Sequence, residues 1–150
     1  MSAQRGWLRL PAAALLAGLA SGACRSVTAC APPVPPVVLG SWTYTATETG
    51  ASPLSGVLAV TSQCGQEFGG TLDVTQLDAQ GQPQRFTGVV SGVLVPVADT
   101  VRVDFDAFLD PSARRHLGTV RSDSMSGGWV EQSASGTRSG SFMSVWTSAP

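Results

Sequence analysis

From residue 39 onward the chain breaks into short runs rich in Val, Thr, Phe and Trp, and no stretch between them is long enough to hold a helix. Parallel strands need a crossover of a dozen or more residues, usually helical, so neighbouring runs can only pair antiparallel, as hairpins. The runs fall roughly at 40–48, 56–63, 68–77, 86–95, 100–109, 116–123, 126–132 and 139–147, each bounded by Gly, Pro, Asp, Ser or Gln. Alternation is clearest in TVRVDFDAF, where Val101, Val103, Phe105 and Ala107 share one face and Arg102, Asp104 and Asp106 the other.

An eight-stranded meander in a chain this short must deal with its two free edges, and closing last strand onto first removes both. The expected fold is therefore all-β: an eight-stranded antiparallel up-and-down barrel over residues 39–150, with a two-sheet β-sandwich as the alternative. Glycines inside or beside the runs, among them Gly69, Gly92 and Gly127, fit sharply curved strands. Treating Asp110 to Arg115 as a turn pairs Leu109 with His116 and sets Phe105 opposite Val120. Two charge pairs then line up, Asp104 with Arg121 and Arg102 with Asp123, each contributing roughly 0.2–1 kcal/mol.

Ahead of the barrel, Arg5 and Arg9 precede an apolar run, Leu10 to Leu19, far shorter than the about 20 residues of a membrane-spanning helix. Residues 1–23 read as an export signal. The stretch LLAGLASGAC resembles the lipobox of bacterial lipoproteins, which implies that Cys24 is lipidated and becomes the N-terminus. If Cys24 takes the lipid, Cys30 and Cys64 remain as a pair in an oxidising compartment. Bridging them would close a loop of about 34 residues, for which the loop-entropy model gives roughly 3–4 kcal/mol; the alternative is two separate thiols. Residues 24–38 would then be the anchor and a linker stiffened by the prolines of APPVPPVV, either a stand-off from a membrane or a lead-in to the barrel. The expected location is the cell envelope, membrane-bound only through the lipid, or the exterior by secretion.

All nine basic residues are Arg; two lie in the export signal, leaving seven against ten acids, a net charge of −3 after cleavage. That balance supplies no basic stripe for nucleic acid. His116 is the single histidine, so histidine clusters for zinc are excluded, and no nucleophile motif accompanies it. Next to Arg114 and Arg115 it reads as a solvated residue opening a strand. No phosphate-binding glycine motif follows a strand and precedes a helix. The expectation is a protein that is no enzyme and holds neither cofactor nor metal.

Gly40-Ser41-Trp42 at the head of the first run is similar to the G-x-W start of lipocalin and avidin barrels, the calycin group. FGGTL, FTGVVSG, MSGGW and SGSFMSVW further resemble the glycine-punctuated strands of lipocalin-like bacterial lipoproteins. In the calycin pattern the tryptophan closes the barrel floor beneath an Arg near the last strand, and Arg138, which precedes that strand, is the candidate. The resemblance implies a module for a small apolar ligand. Trp42, Phe68, Phe86 and Phe105, with Trp129, Phe142 and Trp146, would line its cup or fill its core. The rival role is a packed barrel acting as a structural or protein-interaction platform, its partner unspecified, through loops at 79–84 and 133–137. Intact mass spectrometry of the exported protein is expected to show a chain that begins at lipid-modified Cys24; an unmodified N-terminus would remove the anchor.

Overall fold

The computed structural model describes residues 29–110 and 112–150. Eight strands follow in order: β1 (Gly40–Thr47), β2 (Leu54–Cys64), β3 (Glu67–Leu77), β4 (Pro83–Val97), β5 (Thr100–Leu109), β6 (Ser112–Val120), β7 (Ser124–Ser133) and β8 (Gly136–Ser148). Each pairs antiparallel with the next, and β8 returns to β1, with Thr43 opposite Val145 and Trp42 opposite Trp146. The barrel is closed, so no strand edge is left unpaired. Export signal and Cys24 lie outside the described residues.

Alternation sets the two surfaces. Trp42, Tyr44 and Ala46 on β1, like Val103, Phe105 and Ala107 on β5, point inward and are buried, while the residues between them face solvent or the outer hollows. Gly92 on β4 belongs to the inward set, and a Cβ there would stand 2.5 Å from both Phe105 Cβ and Phe68 Cζ. The missing side chain is what admits the two rings.

The β5–β6 register departs from the sequence expectation. Leu109 pairs with Ser112, Phe105 faces His116 instead of Val120, and β6 begins four residues before the anticipated start at 116. Asp104 sits opposite Leu117 and Arg102 opposite Thr119, so neither expected charge pair exists; Arg121 and Asp123 lie in the turn after β6. Asp104 instead binds Arg115, Nη2 to Oδ2 at 2.7 Å. The expectation failed because Arg114 and Arg115 read as turn residues, whereas each meets a carboxylate from within the strand. Since the shift is an even number of residues, every side chain keeps its face.

Before β1, residues 31–38 lie across the end of the barrel that holds the β2–β3 turn. Cys30 and Cys64 form a disulfide with Cα atoms 5.3 Å apart. The Val34 amide donates to the Gly65 carbonyl at 2.9 Å, and the Gly65 amide to Ala31 at 3.0 Å. Gln63 ties the segment down through its side chain, accepting from the Val38 amide at 2.9 Å and donating to the Val34 and Pro36 carbonyls. Val38 is fully buried, and its carbonyl accepts from Trp42 Nε1 at 2.9 Å. The proline segment is thus a strap fastened to the barrel.

Gly92→Ala is expected to destabilise the barrel by about 1–3 kcal/mol through overpacking against Phe68 and Phe105. Gly128→Ala, whose added methyl meets nothing nearer than the Gly140 carbonyl at 3.5 Å, is expected to be neutral or slightly stabilising. Urea unfolding of the two variants checks this, and equal losses would contradict it.

Candidate functional site

The middle of the barrel is filled with rings. Phe105 and His116 stack with centroids 4.2 Å apart and planes 4° from parallel, and Phe142 meets both edge-on at 5.6 and 5.1 Å. Tyr44 stacks on Phe142, and Phe68 meets Phe105 edge-on. His116, expected on the surface, is fully buried. Its Nδ1 lies 3.0 Å from the Arg114 carbonyl, which can only accept, so Nδ1 carries the proton and Nε2 accepts from the Tyr44 hydroxyl at 2.8 Å. Burial, with the Arg114 charge adding to it, pushes the imidazole down from 6.5 to about 3, and burial raises the Tyr44 phenol above its ordinary value. Both groups are neutral core members with no route to solvent.

At the end opposite the strap, charges close the barrel. Arg114, inward-facing on β6, donates from Nη2 and Nε to Glu131 Oε2 on β7, at 2.9 and 3.2 Å; their side chains are 7% and 8% exposed. The Arg114 guanidinium also lies 4.0 Å from the centroid of the Trp129 ring. Arg138 on β8 spans Glu48 and Glu131, and its hydrogen bonds hold the Glu48 carboxyl below the usual carboxylate range. Two guanidiniums thus face two carboxylates, and Arg114, Glu131 and Arg138 join Asp110, Leu54, Phe86 and Leu109 around a pocket of about 70 Å³. That is room for about two waters. The network is a plug.

The strap end is different. Between Pro36 on the strap and the inward-facing Val101 and Val120 lies a cleft of about 370 Å³, rimmed by Thr100, Thr119 and Arg121. Ligand pockets usually run about 300–1,000 Å³, so this space has the size of a ligand site and the charged pocket does not. Arg121 is exposed and has no carboxylate partner among the described residues, although Asp99 shares the rim. Trp42 and Trp146 stand at the same end: Trp42 bonds the strap through Val38, and the Trp146 amide donates to Asp123 at 2.8 Å. On the outer wall a broad hollow of about 600 Å³ carries Glu67, Asp104, Asp106 and Arg115 over a floor that includes Gly69 and Gly92.

Of the aromatics proposed as cup lining, Trp42, Phe68, Phe105, Trp129 and Phe142 are buried in the packed interior, and Phe86 is half-buried at the charged end. Trp146 stays 43% exposed at the strap end. Arg138 does not reach Trp42, because it is engaged by Glu48 and Glu131 at the opposite end; the cation–π contact belongs to Arg114 and Trp129. The charged plug, the His116–Tyr44 pair and the Gln63 clamp were not anticipated. One signal was available: Arg114 shares the two-residue phase of buried Val120, and Glu131 that of Trp129 and Met125.

No protein-family model matches this chain, and no curated protein matches it. Among solved structures, the chain is similar to EF1p2_mFAP2b bound to DFHBI, with a TM-score of 0.53 and 13% identity over 73% of this chain and 93% of that one. A de novo designed fluorescence-activating β-barrel gives a TM-score of 0.47 at 19% identity, covering 73% of this chain and 93% of its own. A redesigned barrel, mFAP1, bound to DFHBI, gives 0.46 at 14%, covering 70% and 92%. At such identities the likeness is one of fold alone, a closed antiparallel β-barrel.

The depressed His116 pKa has a defined sign. The unfolded chain binds the proton below about 6.5 and the folded chain only below about 3, so His116 lends stability above the unfolded value and loses it as pH falls toward 3. Between pH 6.5 and 4.5, before most carboxylates titrate, unfolding free energy is expected to fall by up to about 1.4 kcal/mol per pH unit. His116→Phe should flatten that slope in urea titrations; an unchanged slope would show that another group sets it.

Proposed function

We propose that this protein is an exported, lipid-anchored and non-enzymatic barrel that binds a small amphipathic molecule in the strap-end cleft. The apolar body would lie on Val101, Val120 and Pro36, with an acidic head at Arg121. One observation carries the reading: the interior is filled and the charged pocket holds only 70 Å³, whereas the 370 Å³ strap-end cleft has ligand dimensions and an apolar floor, with fewer charges on its rim than the outer hollow of about 600 Å³. The structurally similar EF1p2_mFAP2b barrel is bound to DFHBI, which supports a barrel of this fold holding a small molecule. The absence of catalysis is supported by His116, whose two nitrogens are both engaged inside the core.

The filled interior favours a second reading, a rigid platform presenting its loops. The 79–84 loop is held from its base, where Asp78 Oδ1 accepts from the Gln80 and Gln82 amides at 2.9 and 2.8 Å. Titration with saturated fatty acids of graded length, followed by tryptophan fluorescence, separates the two. Saturable binding is expected, and Arg121→Ala should weaken it about tenfold for the acid, the value of one charge-assisted contact, while sparing the matching alcohol. No saturable signal at any length removes the ligand reading and leaves the platform.

A further inference from the structure

We infer that residues 31–38 form a thiol-operated strap, which closes the barrel end beside Trp42 while Cys30 and Cys64 are joined and swings free when they are reduced. The strap is fixed at two points, the disulfide at its outer end and buried Val38 at its inner end. Between them Pro32, Pro33, Pro35 and Pro36 have no amide hydrogen, so the segment cannot zip onto the sheet as a ninth strand. Its remaining ties are the reciprocal Val34–Gly65–Ala31 backbone bonds and the Gln63 side chain. Everything from Ala29 to Pro35 is exposed, and little apolar burial holds that half down.

The bridge itself can be reached. Cys30 is exposed and Cys64 half-buried, the setting in which thiol–disulfide exchange proceeds through attack at an open sulfur. A dithiol reductant breaks the Cys30–Cys64 S–S bond: the two sulfurs take up two electrons and two protons, and the dithiol leaves as its own disulfide. Barrel closure does not pass through the strap, since the β1–β2 and β1–β8 ladders use residues from Gly40 onward. Reduction therefore opens the end without unfolding the wall. Pro36 is a wall of the cleft, so where the ligand reading above holds, on which this last consequence rests, release also loosens the ligand.

Amide hydrogen exchange on the full chain, with and without excess dithiothreitol and without ligand, is the test. Complete reduction, verified by alkylation of Cys30 and Cys64, should speed exchange at the Val34 amide about tenfold or more while the Val38 amide, held by the core, and β3 to β6 stay protected. A Cys30→Ser, Cys64→Ser variant should reproduce that pattern with no reductant present. Unchanged Val34 protection in the reduced protein or the variant, or loss of protection across all strands at once, would overturn the strap. Fatty-acid affinity read in both redox states separates the two proposals: no binding in either state, with strap exchange still accelerated, supports the strap and removes the ligand reading.

Discussion

The β1–β8 ladder is the constraint from which the remaining features follow. Once Thr43 is hydrogen-bonded opposite Val145 and the sheet has no edge, strand number fixes how wide the interior can be. Eight strands leave a bore that side chains alone can fill. Every inward residue then competes for the same space, which is why Phe68 and Phe105 sit over a glycine, Gly92, and why a ring as polar as His116 lies flat on Phe105. Closure thus turns a question of sequence pattern into one of volume.

Filling has an electrostatic consequence. Arg114 and Glu131 are inward by phase, and little water reaches them there, so each depends on the other. A buried ion pair gains little net stability over apolar side chains of the same shape, but losing one partner leaves a desolvated charge costing about 3–5 kcal/mol. Trp129 beneath the guanidinium and Arg138 bridging to Glu48 supply further partners, so the four charges of the network balance one another. The plug reads as a structural device that gives this barrel one permanently shut end.

Alternation and turn chemistry made the strands and their faces legible from the residues, because both are local: Val101, Val103, Phe105 and Ala107 point inward as their two-residue period requires. The Cys30–Cys64 bridge was also accessible, from cysteine number and compartment. What could not be read locally was competition. Whether Arg114 and Arg115 belong to a turn or a strand depends on Glu131 and Asp104, which sit 17 and 11 residues away, and only the paired strands bring them together. His116 was misplaced for the same reason, since its burial follows from the strand start that those arginines decide. Arg138 could be matched to a position in a known pattern, but its carboxylate partners, Glu48 and Glu131, lie at the end of the barrel away from Trp42.

The two ends of the barrel are therefore built on opposite principles, and this asymmetry locates any function that requires movement. At the charged end, every closing group belongs to a ladder strand or the turn beside it, so opening it means separating ion pairs in a poorly solvated space. At the strap end, the closing segment lies outside the ladder, lacks half of its amide donors and is tied by one bond that chemistry can break. Ordering a backbone costs about 1–2 kcal/mol per residue, less where proline has already restricted it. The strap's few hydrogen bonds return roughly 0.5–1.5 kcal/mol each, so they offset only part of that cost over residues 31–37. Covalent closure tips the balance. A barrel with a filled bore can still take and release a guest, provided the guest sits beneath the one part of the wall that is not woven into it.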